Sequence, residues 1–402
     1  MGVPMTPKPL RARTVGHPIT AWSAVNSLGD TTAQVLAALH AGRPGLSPIP
    51  DGTPFEGLCG AVISELPGLP PELSALDFRN NRIACRALGE IAACVAEAVA
   101  RWGPARVGLA VGSSTTAMDE TERAYRCYAS TGALPPGFDV QAHASPEGML
   151  RVLRCVTGIE GPGVVVSTAC SSSGKVFGTA RRWIMAGVVD AVLVGGADSL
   201  CQTTLRGFHA LSLLSPGPSR PFSVERRGIN VGEGAAFALV EREGSGPRLL
   251  GVGESSDAHH MSTPDPEGRG ARLAMEAALA DAGVDPADVD HVNAHGTGTR
   301  LNDAMEALAI RAVLGGASRA VTVSTKGYTG HTLGAAGATE AVFVLDALLR
   351  GRIPASLGAE PVDPELSIEI ATEPIERPLR FALSNSFAFG GSNVSVVFGA
   401  PE

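Results

Sequence analysis

Residues 163–177 read GVVVSTACSSSGKVF, and this stretch decides the fold. Val164, Val165 and Val166 make a continuous β-branched run suited to a strand covered on both faces. Ser167 to Cys170 form a tight turn, and the small residues after them run as a helix toward Met185. Strand, turn and helix in that order are the unit of an α/β sheet. The surroundings repeat it. Residues 88–99 are an alanine-rich helix candidate, 107–111 a short β run stopped by Gly112, Ser113 and Ser114, and 190–194 a strand ending at Gly195 and Gly196. After the apolar run 235–240, a Gly/Pro connector at 246–253 opens a second half, where 271–282 is a helix and 289–292 a strand leading to His295. Residues 360–380, rich in proline and charge, read as a surface connection before the final strands. The second half also echoes the first: VVVSTAC at 164–170 and VTVSTKG at 321–327 each close a β-prone run ahead of a Gly/Ala-rich helix. The echo predicts two related α/β halves, 1–250 and 251–402, with Cys170 facing the material around Lys326 and His331.

Composition narrows the function. A chain of 402 residues buries a large core, in one elaborated domain or two fused ones. Thirty-two basic against 40 acidic residues give a net charge of -8, so no global basic field exists for nucleic acid. With 49 glycines and only 4% aromatics, tight turns and close helix contacts matter more than stacking platforms. The seven cysteines form no CxxC pair, which argues against a zinc knuckle or a disulfide framework and suits a reducing compartment. Residues 1–16 lack the charged start and apolar stretch of an export signal. The longest apolar runs, 187–197 and 341–349, fall short of the roughly 20 residues of a membrane span. A cytoplasmic protein without a membrane span is expected.

Cys170 is the first chemical feature. At a helix start, exposed backbone N–H groups and the helix dipole favour a thiolate, and hence a nucleophile. A packing role is the alternative, and it is the one that suits Cys85, Cys94 and Cys155 in their apolar surroundings. Two histidines lie in dense polar, glycine-rich passages near predicted sheet ends: His295 in NAHGTGTRLNDAMEA at 293–307 and His331 in STKGYTGHTLGAAGATE at 324–340. Asp257, His259, His260 and Asp265 lack the spacing of a closed metal site and read as a polar loop. The glycine-rich passages miss the dinucleotide and ATP-loop patterns, so no metal and no tightly bound cofactor is expected.

TACSSS at 168–173, the two histidine passages, GINVGEGAAFALVE at 228–241 and NSFAFGGSN at 385–393 together resemble the motifs of β-ketoacyl-acyl-carrier-protein synthases, in their expected order over most of the chain. The resemblance implies a thiolase-like fold of duplicated α/β halves in five α-β-α-β-α layers. It makes Cys170 the acyl-accepting nucleophile and His295 and His331 the two histidines of a decarboxylating condensation. It assigns Lys326 and Glu340 to a supporting charge pair. For Glu306 it leaves open a role in holding the turn or in the chemistry. Thr297 and Thr299 match a pair beside the phosphopantetheine arm of an acyl-carrier protein, with local turn bonding as the alternative. Phe389 matches a gating aromatic whose backbone N–H, with that of Cys170, forms an oxyanion hole; Phe387 is read as pocket or core packing.

The resemblance also implies partners: an acyl-carrier protein, and a second copy of the chain in a homodimer, with a heterodimer with a related synthase subunit as the alternative. Arg79 and Arg82 lie where related synthases present a basic carrier-docking surface, interrupted here by Asn80, Asn81 and Ile83. Arg181 and Arg182 read as solvent or interface charges. In PFSVERRGINVGEG at 221–234, Arg227 stands where an acid is usual and Ile229 where an aromatic is common. That passage, YRCYASTGALP at 125–135 and STACSSSGKVF at 167–177 look like synthases of aryl-polyene and related polyunsaturated chains. A noncatalytic chain-length subunit is the alternative function, and the intact Cys170, His295 and His331 argue against it.

Overall fold

The computed structural model describes residues 16–50, 53–62, 64–315 and 318–402. The segment read for an export signal, 1–16, lies outside the described residues but for Gly16. In the first half, the elements that frame the site are β1 (His17–Asn26), α1 (Arg79–Gly89), α2 (Ala92–Trp102), β2 (Val107–Gly112), α3 (Glu147–Thr157), β3 (Gly163–Val166), α4 (Ser172–Met185), β4 (Ala191–Asp198) and β5 (Gly234–Glu241). The second half adds β6 (Arg248–Ser256), α5 (Arg269–Ala282), β7 (His291–Asn293), α6 (Arg300–Leu314), β8 (Val321–Val323), α7 (Ala336–Arg350), β9 (Phe381–Ala388) and β10 (Ser392–Gly399).

The ten strands lie side by side in the order β8-β7-β9-β10-β6-β1-β5-β4-β2-β3. Taken outward from the centre, the first half repeats in the second, each half being its first, fifth, fourth, second and third strand in turn. Directions repeat as well. β2 runs parallel to β3 and β4, while β5 is antiparallel to β4 and to β1. β7 runs parallel to β8 and β9, while β10 is antiparallel to β9 and to β6. The sequence echo therefore falls on topological equivalents, since β3 and β8 are the third strands of the two halves. The halves join where His17 pairs with Leu249 and Pro18 with Arg248. The change of half occurs between Glu241 and Arg248, so a boundary at 250 cuts into β6.

Alternation along the strands builds the layers. Val192 and Val194 of β4 face a core shared with α4 and α7, whereas Ala191 and Leu193 face α1, α2 and α3. In β10, Val394, Val396 and Phe398 enter the same central core, and Val397 turns to α5 and α6. The result is helix, sheet, paired helices, sheet, helix. The two predicted glycine stops at 195 and 196 lie within β4. A Cβ at Gly195 would lie 2.2 Å from the Ala236 carbonyl oxygen, and one at Gly196 2.5 Å from that of Gly112, so these glycines permit close strand and turn packing. The helix expected at 88–99 is two, α1 and α2, broken at Glu90 and Ile91. Among the described residues, no helix is long and apolar enough to cross a membrane.

Candidate active site

The parallel strands point their carboxyl ends at one place, and the chain leaves β3 there through a strained turn. Ala169 has φ 51°, a left-handed conformation that a side-chain-bearing residue adopts only when its surroundings impose it. The serine run supplies that support. Ser172 Oγ accepts from the Thr168 N–H at 2.9 Å and donates to the Ala169 carbonyl at 2.6 Å, and Ser171 Oγ donates to the Thr168 carbonyl at 2.9 Å. Cys170 is thereby set at the foot of α4, buried to 7% exposure. Burial pushes its thiol up to about 12. The Lys326 charge pulls it down and Asp198 pushes it further up, while the N–H groups of Cys170 and Phe389 also pull it down. The thiolate expected from the helix start is thus not the resting form, because desolvation outweighs the dipole.

His295 leaves the end of β7, and Glu306 of α6 fixes its turn. The Glu306 carboxylate accepts the His295 N–H at 2.8 Å, the Gly296 N–H at 2.7 Å and Asn385 Nδ2 at 3.2 Å. These bonds favour the anion, yet burial raises Glu306 to about 7. Both Glu306 oxygens are engaged with the turn.

His331 is held across the halves. Its N–H donates to the Asn230 carbonyl at 2.7 Å and its carbonyl accepts from the Gly232 N–H at 2.8 Å, which gives the GINVGEG passage a structural reason. The His295 and His331 rings stand edge to face with centroids 5.2 Å apart. Cys170 Sγ and a nitrogen of each imidazole all lie within 4.8 Å of one another. Such a trio has the donor types to hold a metal ion, but its more direct chemistry is nucleophile plus N–H donors. Burial holds both imidazoles well below their ordinary range, Lys326 adds to the effect, and for His295 so does His331. Each is neutral at pH 7 and retains one N–H to donate. Lys326 Nζ is 2.5 Å from Glu340 Oε1, and Asn293 Nδ2 donates to Glu340 Oε2 at 3.3 Å. Burial raises the Glu340 carboxyl against the pull of Lys326.

One cavity of about 430 Å³ reaches this trio, and Thr297, Thr299, Phe387 and Phe389 line it. Thr297 Oγ1 and Thr299 Oγ1 are 2.9 Å apart on the loop that enters α6. The backbone N–H groups of Cys170 and Phe389 lie near the Cys170 sulfur and favour its anion. The Phe389 ring is 36% exposed and packs against Phe208 at 5.6 Å. Asp257 pins the glycines after it, since its N–H donates to the Gly391 carbonyl at 2.8 Å and its Oδ1 accepts from Asn393 at 2.6 Å.

Arg79 and Arg82 lie apart from this cavity, and their charges are engaged. Arg79 pairs with the fully buried Glu233 and donates to the Val62 carbonyl at 2.8 Å, and Arg82 makes a two-pronged pair with Asp77 at 2.7 and 2.9 Å. Arg181 is a correction. It is buried and joins α4 to α5 through Asp281 at 2.7 Å, while Arg182 pairs with Glu254 at 2.9 Å.

Sequence reasoning missed Phe208 and Asp198. Asp198, at the end of β4, accepts from Ser113, Ser114 and Thr115 beyond β2 and from the Gly334 N–H of the other half at 2.5 Å. The donor-rich SST run after a predicted strand was the available signal.

The family model described as the beta-ketoacyl synthase N-terminal domain matches residues 91–245, and the C-terminal domain model matches 248–360. The chain belongs to the β-ketoacyl synthase family. Nodulation protein E of Rhizobium meliloti is 33% identical, over 94% of this chain and 98% of that protein. The 3-oxoacyl-[acyl-carrier-protein] synthase 2 of Vibrio cholerae is also 33% identical, over 73% and 76%. Among solved structures, the ketosynthase ApeO, in complex with its chain length factor ApeC, from Xenorhabdus doucetiae is 39% identical with a TM-score of 0.90, covering 96% of this chain and 98% of that one. The synthase has the thiolase-like fold, and its reaction is the condensation of fatty-acid or polyketide synthesis.

Proposed function

We propose that this synthase extends aryl-primed or polyunsaturated chains on an acyl-carrier protein, with Cys170 carrying the growing acyl group and His295 and His331 activating the malonyl unit. The convergence of a sulfur and two neutral imidazoles within 4.8 Å in one cavity carries the assignment of roles. In the first step Cys170 sulfur attacks the acyl thioester carbonyl. Its proton passes to a neighbouring imidazole and then to the departing arm thiolate, so both histidines are neutral again. The Cys170 and Phe389 N–H groups face the oxygen that becomes negative. In the second step the malonyl C–C bond to its carboxylate breaks, carbon dioxide leaves, and the electron pair enters an enolate whose oxygen accepts N–H bonds from His295 and His331. The enolate carbon attacks the acyl thioester and expels Cys170 as thiolate, giving the carrier-bound 3-oxoacyl chain. The thiolate regains a proton before the next cycle.

Phosphopantetheine enters as part of the substrate carrier. The hydroxyls of Thr297 and Thr299 suit its amides, and Gly298 between them, at φ 78°, permits the turn that presents both. The chain-class reading rests on the passages at 125–135, 167–177 and 228–230 together with the likeness to ApeO. The carrier-docking role of Arg79 and Arg82 belongs to this proposal too, although Glu233 and Asp77 leave little of their charge unneutralised.

A second synthase subunit completes the assembly. β3 is an edge strand with half-buried valines just before Cys170, and Tyr125 and Tyr128 are 70% and 52% exposed. ApeO was solved with its chain length factor, and this likeness favours a heterodimer over a homodimer. The test is competition among matched saturated, enoyl and aryl-primed carrier thioesters, read by product mass, with and without a related chain-length subunit. Preference for saturated chains in both conditions defeats the chain-class reading and leaves the condensation standing.

A further inference from the structure

The mouth of the catalytic cavity holds positive charge that condensation does not use. Arg227 and Arg300 both line it and both are exposed. Neither makes a hydrogen bond or ion pair to any described residue. Arg300 acts on Asp363 at longer range, but Asp363 is already paired with Arg226 at 2.6 Å. Among the described residues lining this cavity the one acid is Asp257, and its carboxylate accepts from Asn393 and from the Asp265 N–H. In a chain of net charge -8, two free guanidinium groups at the opening of one cavity form a local electropositive focus.

The backbone brings these arginines together. The Gly228 N–H, next to Arg227, donates to the Gly298 carbonyl at 2.9 Å, and Gly298 precedes Arg300 by two residues. Thr297 and Thr299 share that segment and continue inward to His295. Going out from the trio, the wall thus passes from imidazole N–H donors to paired hydroxyls to guanidinium groups. That order matches an extended ligand with a thioester at one end, amides along its length and an anionic group at the other. Guanidinium groups bind phosphate through paired, charge-assisted hydrogen bonds.

We propose that Arg227 and Arg300 form a clamp for the phosphodiester that joins the pantetheine arm to its carrier. The clamp rests on the carrier-dependent reading above. It also gives a use to a basic residue at 227, where the resemblance leads one to expect an acid.

The test separates the phosphate from the rest of the carrier. Binding of 4′-phosphopantetheine and of dephosphorylated pantetheine to the full chain is measured by ligand-observed NMR competition, and the KM for malonyl-phosphopantetheine, malonyl-pantetheine and malonyl-carrier protein is measured in parallel. The wild type should bind the phosphorylated arm more tightly. Arg227→Ala and Arg300→Ala should each weaken binding and raise KM for it by about tenfold, with the pantetheine values and kcat unchanged. Equal affinity of the wild type for the two arms overturns the clamp, as do equal losses for both arms in the variants. Losses confined to the complete carrier overturn it as well, and assign the arginines to acidic side chains of that protein. Failure of the wild type to condense malonyl-carrier protein counts against the functional reading alone, because the NMR comparison still decides the clamp.

Discussion

Replacing Gly337 by alanine should disable the enzyme, although alanine is the better helix former. Gly337 lies in the first turn of α7, where that helix meets α4 between the two sheets. A Cβ there would lie 2.6 Å from the Gly174 nitrogen and 2.8 Å from its Cα. Ordinary contact starts near 3.4 Å, so the two backbones have to part by about 0.8 Å. Helix propensity favours the substitution by about 1 kcal/mol, whereas overpacking costs about 1–3 kcal/mol. Because the obstructing atoms are backbone, the cost falls at the upper end, and the net loss is about 2 kcal/mol. The effect on turnover is larger. Cys170 stands at the foot of α4 and His331 just ahead of α7, so parting the helices opens the 4.8 Å cluster. A displacement of this size lowers kcat by about a hundredfold. Thermal unfolding and condensation turnover, compared with Gly89→Ala as a helix-end control whose Cβ meets nothing within 4 Å, provide the measurements. A Gly337→Ala protein as stable and as active as the wild type refutes the reasoning.

Three further outcomes follow from the site. With its thiol pushed up to about 12, Cys170 should be alkylated by iodoacetamide about tenfold faster per pH unit across roughly pH 6 to 10, as read by peptide mapping; a plateau reached below pH 9 would show that burial does not dominate. Glu306 has a folded value raised from 4.5 to about 7, so its contribution is fully present below pH 4.5 and is lost as pH rises through 7. Relative to Glu306→Gln, the wild type should lose about 3 kcal/mol across that window in denaturant unfolding, and a pH-independent difference would count against it. Lys326→Met leaves the buried Glu340 unpaired and should destabilise by about 3–5 kcal/mol. Adding Glu340→Gln should restore most of that stability without restoring carbon dioxide release, and equal instability of the single and double variants would contradict this account.

The strand runs and the residues at their ends were legible because both are local. Val164 to Val166 declare a strand, which lies half-buried at the sheet edge, and the turn after them sets Cys170 at the start of the next helix. The state of that cysteine was not legible. The helix start is a local feature that favours the anion, but the burial that overrides it belongs to a site shared with the opposite half, whose His295, His331 and Phe387 line the same cavity and arrive more than a hundred residues later. Arg79 illustrates the same limit: nothing near it in sequence indicates that its charge is consumed by Glu233. Asp198 escaped for a related reason, since its hydroxyl partners stand over 80 residues earlier and its backbone partner Gly334 136 residues later.

Duplication explains why the site needs both halves. Equivalent strands end at equivalent places, so β2 and β7 present the SST run and His295, β3 and β8 present Cys170 and Lys326, and β4 and β9 present Asp198 and Phe389. The two sets meet across the glycine contact of α4 and α7. They have diverged in chemistry: the first half supplies Cys170 and the Asp198 hub, while the second supplies the imidazoles, the Lys326–Glu340 pair and the Phe389 N–H. The connections between the sets are themselves between halves. Asp198 holds Gly334, Asn230 and Gly232 hold His331, and Ser173 accepts the Ala338 N–H at 2.9 Å. His331 and the foot of α4 are therefore positioned partly by the opposite half, while Glu306 holds His295 from its own, which couples the geometry of condensation to the packing of the whole double sheet.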